Sequence, residues 1–125
     1  MPADPELTEI VRAAATLLPR TRRAIARCRT DPDPGGDLAR ECGGVVREYV
    51  AVLERLQLLP PDELRRRVGR LVSCQMELTA QAGQLAFRIH DEAWPRMAER
   101  FGDGQGPAAD ELLYLAADLS RPARR

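Results

Sequence analysis

The hydrophobic positions of this chain recur in alternating steps of three and four residues, which is the spacing of α-helices and not of strands. The longest such segment carries apolar or small residues at Leu64, Val68, Leu71, Leu78, Ala82, Leu85 and Ile89. A neighbouring uncharged stripe comprises Gly69, Ser73, Met76, Ala80, Gly83 and Phe87. An uncharged arc of this width is too broad for a single packing partner. We therefore expect this helix to contact more than one neighbour.

The first segment predicts a long helix from about Pro5 to Arg29, with apolar residues on one face. Pro19 lies inside it. Because proline removes one backbone hydrogen bond and clashes with the preceding turn, the sequence predicts a kink or a break near Leu17. A loop rich in proline and glycine follows at residues 31–36.

The second helix is predicted to begin with Asp37 as its cap and to keep its heptad pattern to Leu59. Pro60 and Pro61 then stop it, and the third helix starts directly afterwards and is expected to reach about Glu92. Because the connection is so short, the second and third helices should be antiparallel neighbours.

A last amphipathic helix is predicted from about Ala108 to Leu119, and one or two helical turns are expected in the segment before it. The sequence therefore predicts an all-α fold, an antiparallel bundle of three long helices plus one or two short C-terminal helices. Residues 1–119 would form one domain, and the basic tail 120–125 would be disordered.

Charge and composition narrow the function classes. The 125 residues include 19 basic and 19 acidic ones, so the formal net charge is zero and no global field favours nucleic acid or anionic membranes. All the basic residues are arginine. No secretory signal and no long apolar run are present, so we expect a cytoplasmic protein with no membrane partner.

Two arginine clusters stand out against this balance, one on the first helix and one on the third. They comprise Arg20, Arg22, Arg23, Arg27 and Arg29, and Arg65, Arg66, Arg67 and Arg70. In an up-down-up bundle they would fall at opposite ends, and the acidic span between them would pair with them inside the molecule. Nucleic-acid binding is therefore an unfavoured hypothesis.

One end of the predicted bundle brings together the residues that could do chemistry. His90 and Arg88 lie near the end of the third helix, at the level of Cys28 and Cys42. A cysteine pair with a histidine could bind zinc or activate a thiolate, but the spacing matches no metal motif. The cysteines also occupy apolar heptad positions, where a thiol simply packs. We expect no metal, no cofactor and no catalytic residue.

Tyr49 also lies on the apolar face of its helix, so it needs either a buried hydrogen-bond partner or a place at the bundle edge. A ligand pocket beside Tyr49 is the alternative interpretation.

The span Leu38–Tyr49 and the span Asp62–Val72, with its four arginines, resemble small arginine-rich helical proteins of natural-product gene clusters in high-GC bacteria. The proteins of that group are of unknown function. The resemblance implies an accessory role in secondary metabolism and assigns no functional residue.

Three function hypotheses follow. The first is a cytoplasmic accessory or protein-interaction protein, since a complete helical pattern comes without a catalytic signature. The second is a small-ligand binder or small enzyme that uses His90, Cys28, Cys42, Tyr49 and Arg88. The third is a nucleic-acid-associated regulator. We also expect a homodimer through the stripe from Gly69 to Phe87, because glycines inside a helix suggest that another backbone approaches closely. The alternative is that the short helix from Ala108 to Leu119 of the same chain folds back onto this stripe.

Overall fold

The computed structural model describes residues 5–30, 36–86, 96 and 105–121, and these residues are helical apart from their connections. The helices are α1 (Pro5–Thr30), α2 (Asp37–Gln57), α3 (Glu63–Ala86) and α4 (Gln105–Leu119). The described residues contain no β-strand, which confirms the all-helical prediction. The predicted continuation of α3 to Glu92 and most of the segment before α4 lie outside the described residues.

Of the predicted kink or break near Leu17, the break is wrong, because α1 runs through Pro19 as one uninterrupted helix. Pro19 itself is exposed. The flanking residues Leu17, Leu18 and Thr21 are buried. Their burial fixes the helical path on both sides of the missing backbone bond.

The start of α2 also differs from the prediction. Gly36, and not Asp37, is the capping residue, and its φ of 78° lies in the left-handed region that glycine adopts without strain. Its carbonyl accepts a hydrogen bond from the Arg40 N–H at 3.0 Å. Asp37 lies in the first turn, where its carboxylate pairs with Arg40 and complements the helix dipole.

Asp62 starts α3. Its side-chain oxygen accepts a hydrogen bond of 2.7 Å from the Arg65 N–H, which satisfies one of the unpaired donors of the first turn. Helix α2 ends at Gln57, two residues earlier than its apolar pattern suggested. The connection from Leu58 to Asp62 is short enough to hold α2 and α3 side by side.

Helices α1 and α3 contact each other, and α2 and α4 each pack against both of them. Since α2 and α4 make no comparable contact with each other, they lie on opposite sides of the α1–α3 pair. Ion pairs join Glu9 to Arg55 and Arg27 to Glu41 across the contact between α1 and α2. Helix α4 ends beside the first turns of α1, where Arg12 Nε donates to Ser120 Oγ at 2.9 Å.

The core consists of a large aliphatic cluster and a smaller one near the end of α3. The large cluster joins all four helices and includes Ile10, Val45, Val68, Val72 and Leu112, each with an exposed fraction of 0%. The small cluster comprises Ala24, Cys28, Leu38, Cys42, Ala82 and Leu85. Between them lies a layer of buried polar side chains.

Helix α3 meets three neighbours, as its wide uncharged arc predicted. The centre of its buried face differs from the predicted stripe, however. The buried side chains are Val68, Val72, Gln75, Thr79, Ala82 and Leu85, whereas Leu71 and Leu78 are only half-buried. Two polar residues thus occupy central positions that the hydrophobic pattern leaves out.

The two glycines of α3, Gly69 and Gly83, should respond oppositely in stability when each is replaced by alanine. A Cβ on Gly83 would lie 3.1 Å from the Cβ of Cys42 in α2, whereas a Cβ on Gly69 would make an ordinary 3.5 Å contact with Leu56. Gly83→Ala should therefore destabilise the protein by about 1–2 kcal/mol, because α2 must shift. Gly69→Ala should stabilise it by up to about 1 kcal/mol through helix propensity. Urea unfolding measures both, and equal effects of the same sign would contradict the close approach at Gly83.

Candidate functional site

The structure describes part of the bundle end at which the sequence placed the candidate ligand-binding residues. Cys28 and Cys42 lie together in the small core cluster, with exposed fractions of 2% and 1%. Both are free thiols. His90 and Arg88, the other members of the predicted site, lie outside the described residues. Tyr49 is seven residues from Cys42 along α2, about 10 Å away, so it belongs to a different layer of the core.

Burial makes the Cys28 thiol unreactive. Desolvation, together with the neighbouring Cys42, raises its pKa to about 11 against the opposing effect of Arg29. A thiol with this pKa is protonated at neutral pH, whereas nucleophilic attack and zinc binding both need the thiolate. No group of three His, Cys, Asp or Glu side chains within the described ranges could hold a metal ion.

Thiol titration tests this picture. Cys74 is only half-buried, whereas Cys28 and Cys42 are buried. With Ellman's reagent at about pH 8, the native protein should release one equivalent quickly, and the other two thiols should react only in denaturant. Cys74→Ser should abolish the fast phase. A fast phase that survives in Cys74→Ser would mean that the core pair is accessible.

Tyr49 has the buried hydrogen-bond partner that its core position requires. Its hydroxyl lies 2.7 Å from Thr21 Oγ1, and Thr21 Oγ1 lies 2.9 Å from Thr79 Oγ1. Thr79 in turn donates to the carbonyl of Gln75 at 2.8 Å. Because that last proton is committed, Thr79 accepts from Thr21 and Thr21 accepts from Tyr49. The three hydroxyls thus form one directed chain that links α2, α1 and α3.

The same polar layer extends to α4. The side chain of Gln75 donates to the backbone carbonyl of Gln105 at 3.3 Å and accepts from the Gln105 side chain at 3.2 Å. Both glutamines are buried. Every hydroxyl and amide in this layer has a partner, so the layer joins the four helices and contains no group poised for catalysis.

The small-residue stripe proposed as a dimer interface runs along the α2 side of α3. Gly69 and Gly83 both face α2 side chains, so the close approach that the glycines suggested occurs within this chain. Ser73, Met76 and Ala80 are half-buried, and Phe87 lies outside the described residues. The homodimer itself stays a prediction.

Many of the arginines form ion pairs between or within helices. Across helices, Arg20 pairs with Glu48, Arg27 with Glu41, Arg55 with Glu9 and Arg67 with Glu111. Other arginines have no carboxylate partner in the part of the chain that the structure describes. Among them are Arg22, Arg23 and Arg47 on α1 and α2 and three on the first turns of α3, namely Arg65, Arg66 and Arg70.

These three arginines border an open groove of about 700 Å³ between α2 and α3. Its lining comprises Leu53, Leu56, Gln57, Arg65, Arg66, Gly69, Arg70, Ser73, Cys74 and Glu77. The α2 wall is largely aliphatic, the cations lie toward the start of α3, and the single acidic residue lies at the opposite end. We name this feature the α2–α3 groove.

Arg65 adds a further observation. Its backbone N–H is satisfied by Asp62, but its side-chain Nε is buried without a hydrogen-bond partner among the described residues. Leaving a buried donor unpaired costs about 1–3 kcal/mol. The guanidinium is therefore held at the groove at an energetic cost, with unused hydrogen-bonding capacity.

The sequence showed the arginine run at 65–67 but not the groove beside it. The signal that could have found it is that Arg70 has no acidic residue three or four positions away in either direction. Arg66 has Asp62 four positions earlier, but Asp62 is used as the helix cap.

None of the described helices is both long and apolar enough to span a membrane. Comparison of the chain with models of known protein families, with curated proteins and with solved structures gave no significant match.

Proposed function

We propose that this chain is a cytoplasmic helical accessory protein that acts by binding another protein through the α2–α3 groove. The observation that carries the proposal is that three arginines without a carboxylate partner border one open, partly aliphatic groove. Arg65, Arg66 and Arg70 have no such partner among the described residues, whereas Arg67 beside them pairs with Glu111 of α4. Unpaired arginines beside apolar surface are typical of protein-binding sites.

The proposal includes an up-down-up arrangement of α1, α2 and α3 as three antiparallel helices. It is supported by the Glu9–Arg55 and Arg27–Glu41 pairs and by the contacts of Gly69 with Leu56 and Gly83 with Cys42. The rigid pair α2–α3 would then present the groove as a preformed surface.

Affinity purification from the cells that encode the protein tests this function. The double variant Arg66→Glu/Arg70→Glu should lose its bound partner, whereas the matched variant Arg40→Glu/Arg47→Glu, with exposed arginines of α2, should retain it. Equal retention by both variants would contradict a role for the groove. The resemblance to helical proteins of natural-product gene clusters makes a biosynthetic protein the first partner to test.

The second hypothesis, a ligand site or small enzyme at Cys28, Cys42 and His90, gains no support from the buried and protonated thiol of Cys28. A homodimer through the small-residue stripe remains compatible with the half-buried Ser73 and Ala80. Light scattering on the wild type and on Ala80→Arg tests it, and a wild-type monomer at all concentrations would refute it.

A further inference from the structure

We infer that the segment bound by the α2–α3 groove is an acidic amphipathic helix of the partner protein, about three turns long. This inference rests on the proposed function and names the chemistry of the partner. The groove combines an aliphatic wall with unpaired arginines at one end, so a complementary segment must bring apolar side chains and carboxylates together.

The molecule already contains one helix that binds in this way. Helix α4 carries Asp110, Glu111 and Asp118 and no basic residue. It buries Ala109 and Leu112 along the α1–α3 seam, and Glu111 pairs with Arg67 at the edge of that seam. Apolar residues in the seam and a carboxylate on an α3 arginine are thus sufficient to dock a short acidic helix on α3.

The α2–α3 groove offers the same elements on the other side of α3. Leu53 and Leu56 line it on α2, and Gly69 leaves room in its wall because it has no side chain. Arg66 and Arg70 border this groove, whereas Arg67 pairs with α4 through Glu111. Unlike Arg67, they have no carboxylate partner within the described ranges.

The length of the groove favours a helix over a small anion. Its α3 wall extends from Arg65 to Glu77, which corresponds to about 18 Å at 1.5 Å per residue, or about 12 residues of a bound helix. A single carboxylate or phosphate would occupy only the arginine end and leave the aliphatic wall open. Glu77 at the far end should face a basic or neutral residue of the partner.

Nucleic acid fits the groove less well than an acidic helix. The cations cover only one end of the lining, an acidic residue lies at the other, and the lining contains no aromatic side chain for base stacking.

Photo-crosslinking identifies what the groove binds. Benzoylphenylalanine replaces Ser73, which lines the groove, and in a control it replaces Ala117, an exposed residue of α4. After irradiation in the cells that encode the protein, mass spectrometry sequences the attached segment. If the Ser73 variant fails to fold, Gln57→benzoylphenylalanine, at an exposed position of the same groove, replaces it.

The expected adduct is specific to the groove position and lies on a helical segment with apolar residues at three- and four-residue spacing and with carboxylates. A segment without carboxylates, or one that is not helical, would overturn this inference and leave the proposed function intact. A nucleic-acid adduct, or no adduct above the Ala117 control, would overturn both.

A synthetic peptide of the attached segment supplies the quantitative test by fluorescence anisotropy. Arg66→Glu/Arg70→Glu should raise its Kd about tenfold or more, and Arg40→Glu/Arg47→Glu should change it by less than about twofold. Raising NaCl from about 50 mM to about 500 mM should weaken binding to the wild type but not to the groove variant. Equal Kd values for the two double variants would overturn the role of the arginines.

Discussion

Val72→Asp should unfold the protein, whereas Leu71→Asp should leave it folded with reduced stability. Val72 has an exposed fraction of 0% in the large core cluster, and Leu71, one residue earlier, is only half-buried at its edge. A carboxylate at position 72 would be cut off from water at a cost of several kcal/mol, against a typical total stability of about 5–15 kcal/mol. At position 71 the carboxylate can turn toward solvent, so the expected loss is about 1–3 kcal/mol.

Thermal unfolding followed by circular dichroism measures both variants. Val45→Asp is the matched control on α2, because Val45 is as deeply buried as Val72 and should also fail to fold. If Leu71→Asp proves as damaging as Val72→Asp, the buried face of α3 is centred on the half-buried leucines after all.

The buried face of α3 is centred on other residues than those the hydrophobic pattern predicts, so this pattern alone is not sufficient to identify buried residues. Counting apolar residues places the stripe on Leu71 and Leu78, because Gln75 and Thr79 are polar and therefore excluded. In the structure these two side chains are buried because Thr21 and Gln105, on other helices, satisfy them. No local property of the α3 sequence indicates a hydrogen-bond partner that lies 30 or more residues away in the chain.

The approximate bounds of the described helices follow from local rules. Proline pairs, the glycine at position 36 and the carboxylate at position 62 act on neighbouring residues only, so the sequence predicts most helix ends to within a few residues. The continuity of α1 through Pro19 does not follow from these rules, since it depends on tertiary burial of the flanking turns.

The candidate groove is harder to predict from the sequence than the fold is. An arginine run is visible at positions 65–67, but whether each arginine is paired depends on which acidic residues other helices bring near it. Arg67 finds Glu111 on α4, while Arg66 next to it finds no carboxylate among the described residues. Neighbours in sequence thus differ in role because they face different helices.

The second large expected effect on stability concerns the chain of hydrogen-bonded hydroxyls of Tyr49, Thr21 and Thr79. Thr21→Val should destabilise the protein by about 2–3 kcal/mol, because it leaves the buried Tyr49 hydroxyl without an acceptor and removes the donor to Thr79. Tyr49→Phe should cost only about 1 kcal/mol, since Thr21 can still donate to Thr79. Urea unfolding of both variants measures the difference.

The double variant Thr21→Val/Tyr49→Phe distinguishes a hydrogen-bond effect from a packing effect. Removing both partners leaves no orphaned polar group, so it should be more stable than Thr21→Val alone by about 1 kcal/mol. If the two losses simply add, the hydroxyls of Tyr49 and Thr21 are not coupled and the proposed direction of the chain is wrong.

The same chain predicts a stability loss at alkaline pH that disappears in Tyr49→Phe. Burial raises the pKa of Tyr49 to about 12 against the opposing effects of its hydrogen bond to Thr21 and of Arg20, while the unfolded chain ionises near pH 10. The native state therefore holds this proton after the unfolded state has lost it. Stability from Tyr49 is complete below pH 10 and falls by about 2–3 kcal/mol as the pH rises to 12. Because the two proteins differ only at position 49, the difference between wild type and Tyr49→Phe isolates Tyr49. Urea unfolding at intervals from about pH 8 to pH 12 should show the two stability curves crossing, with Tyr49→Phe the more stable protein at the highest pH. Parallel curves would mean that Tyr49 ionises as readily in the folded protein as in the unfolded chain.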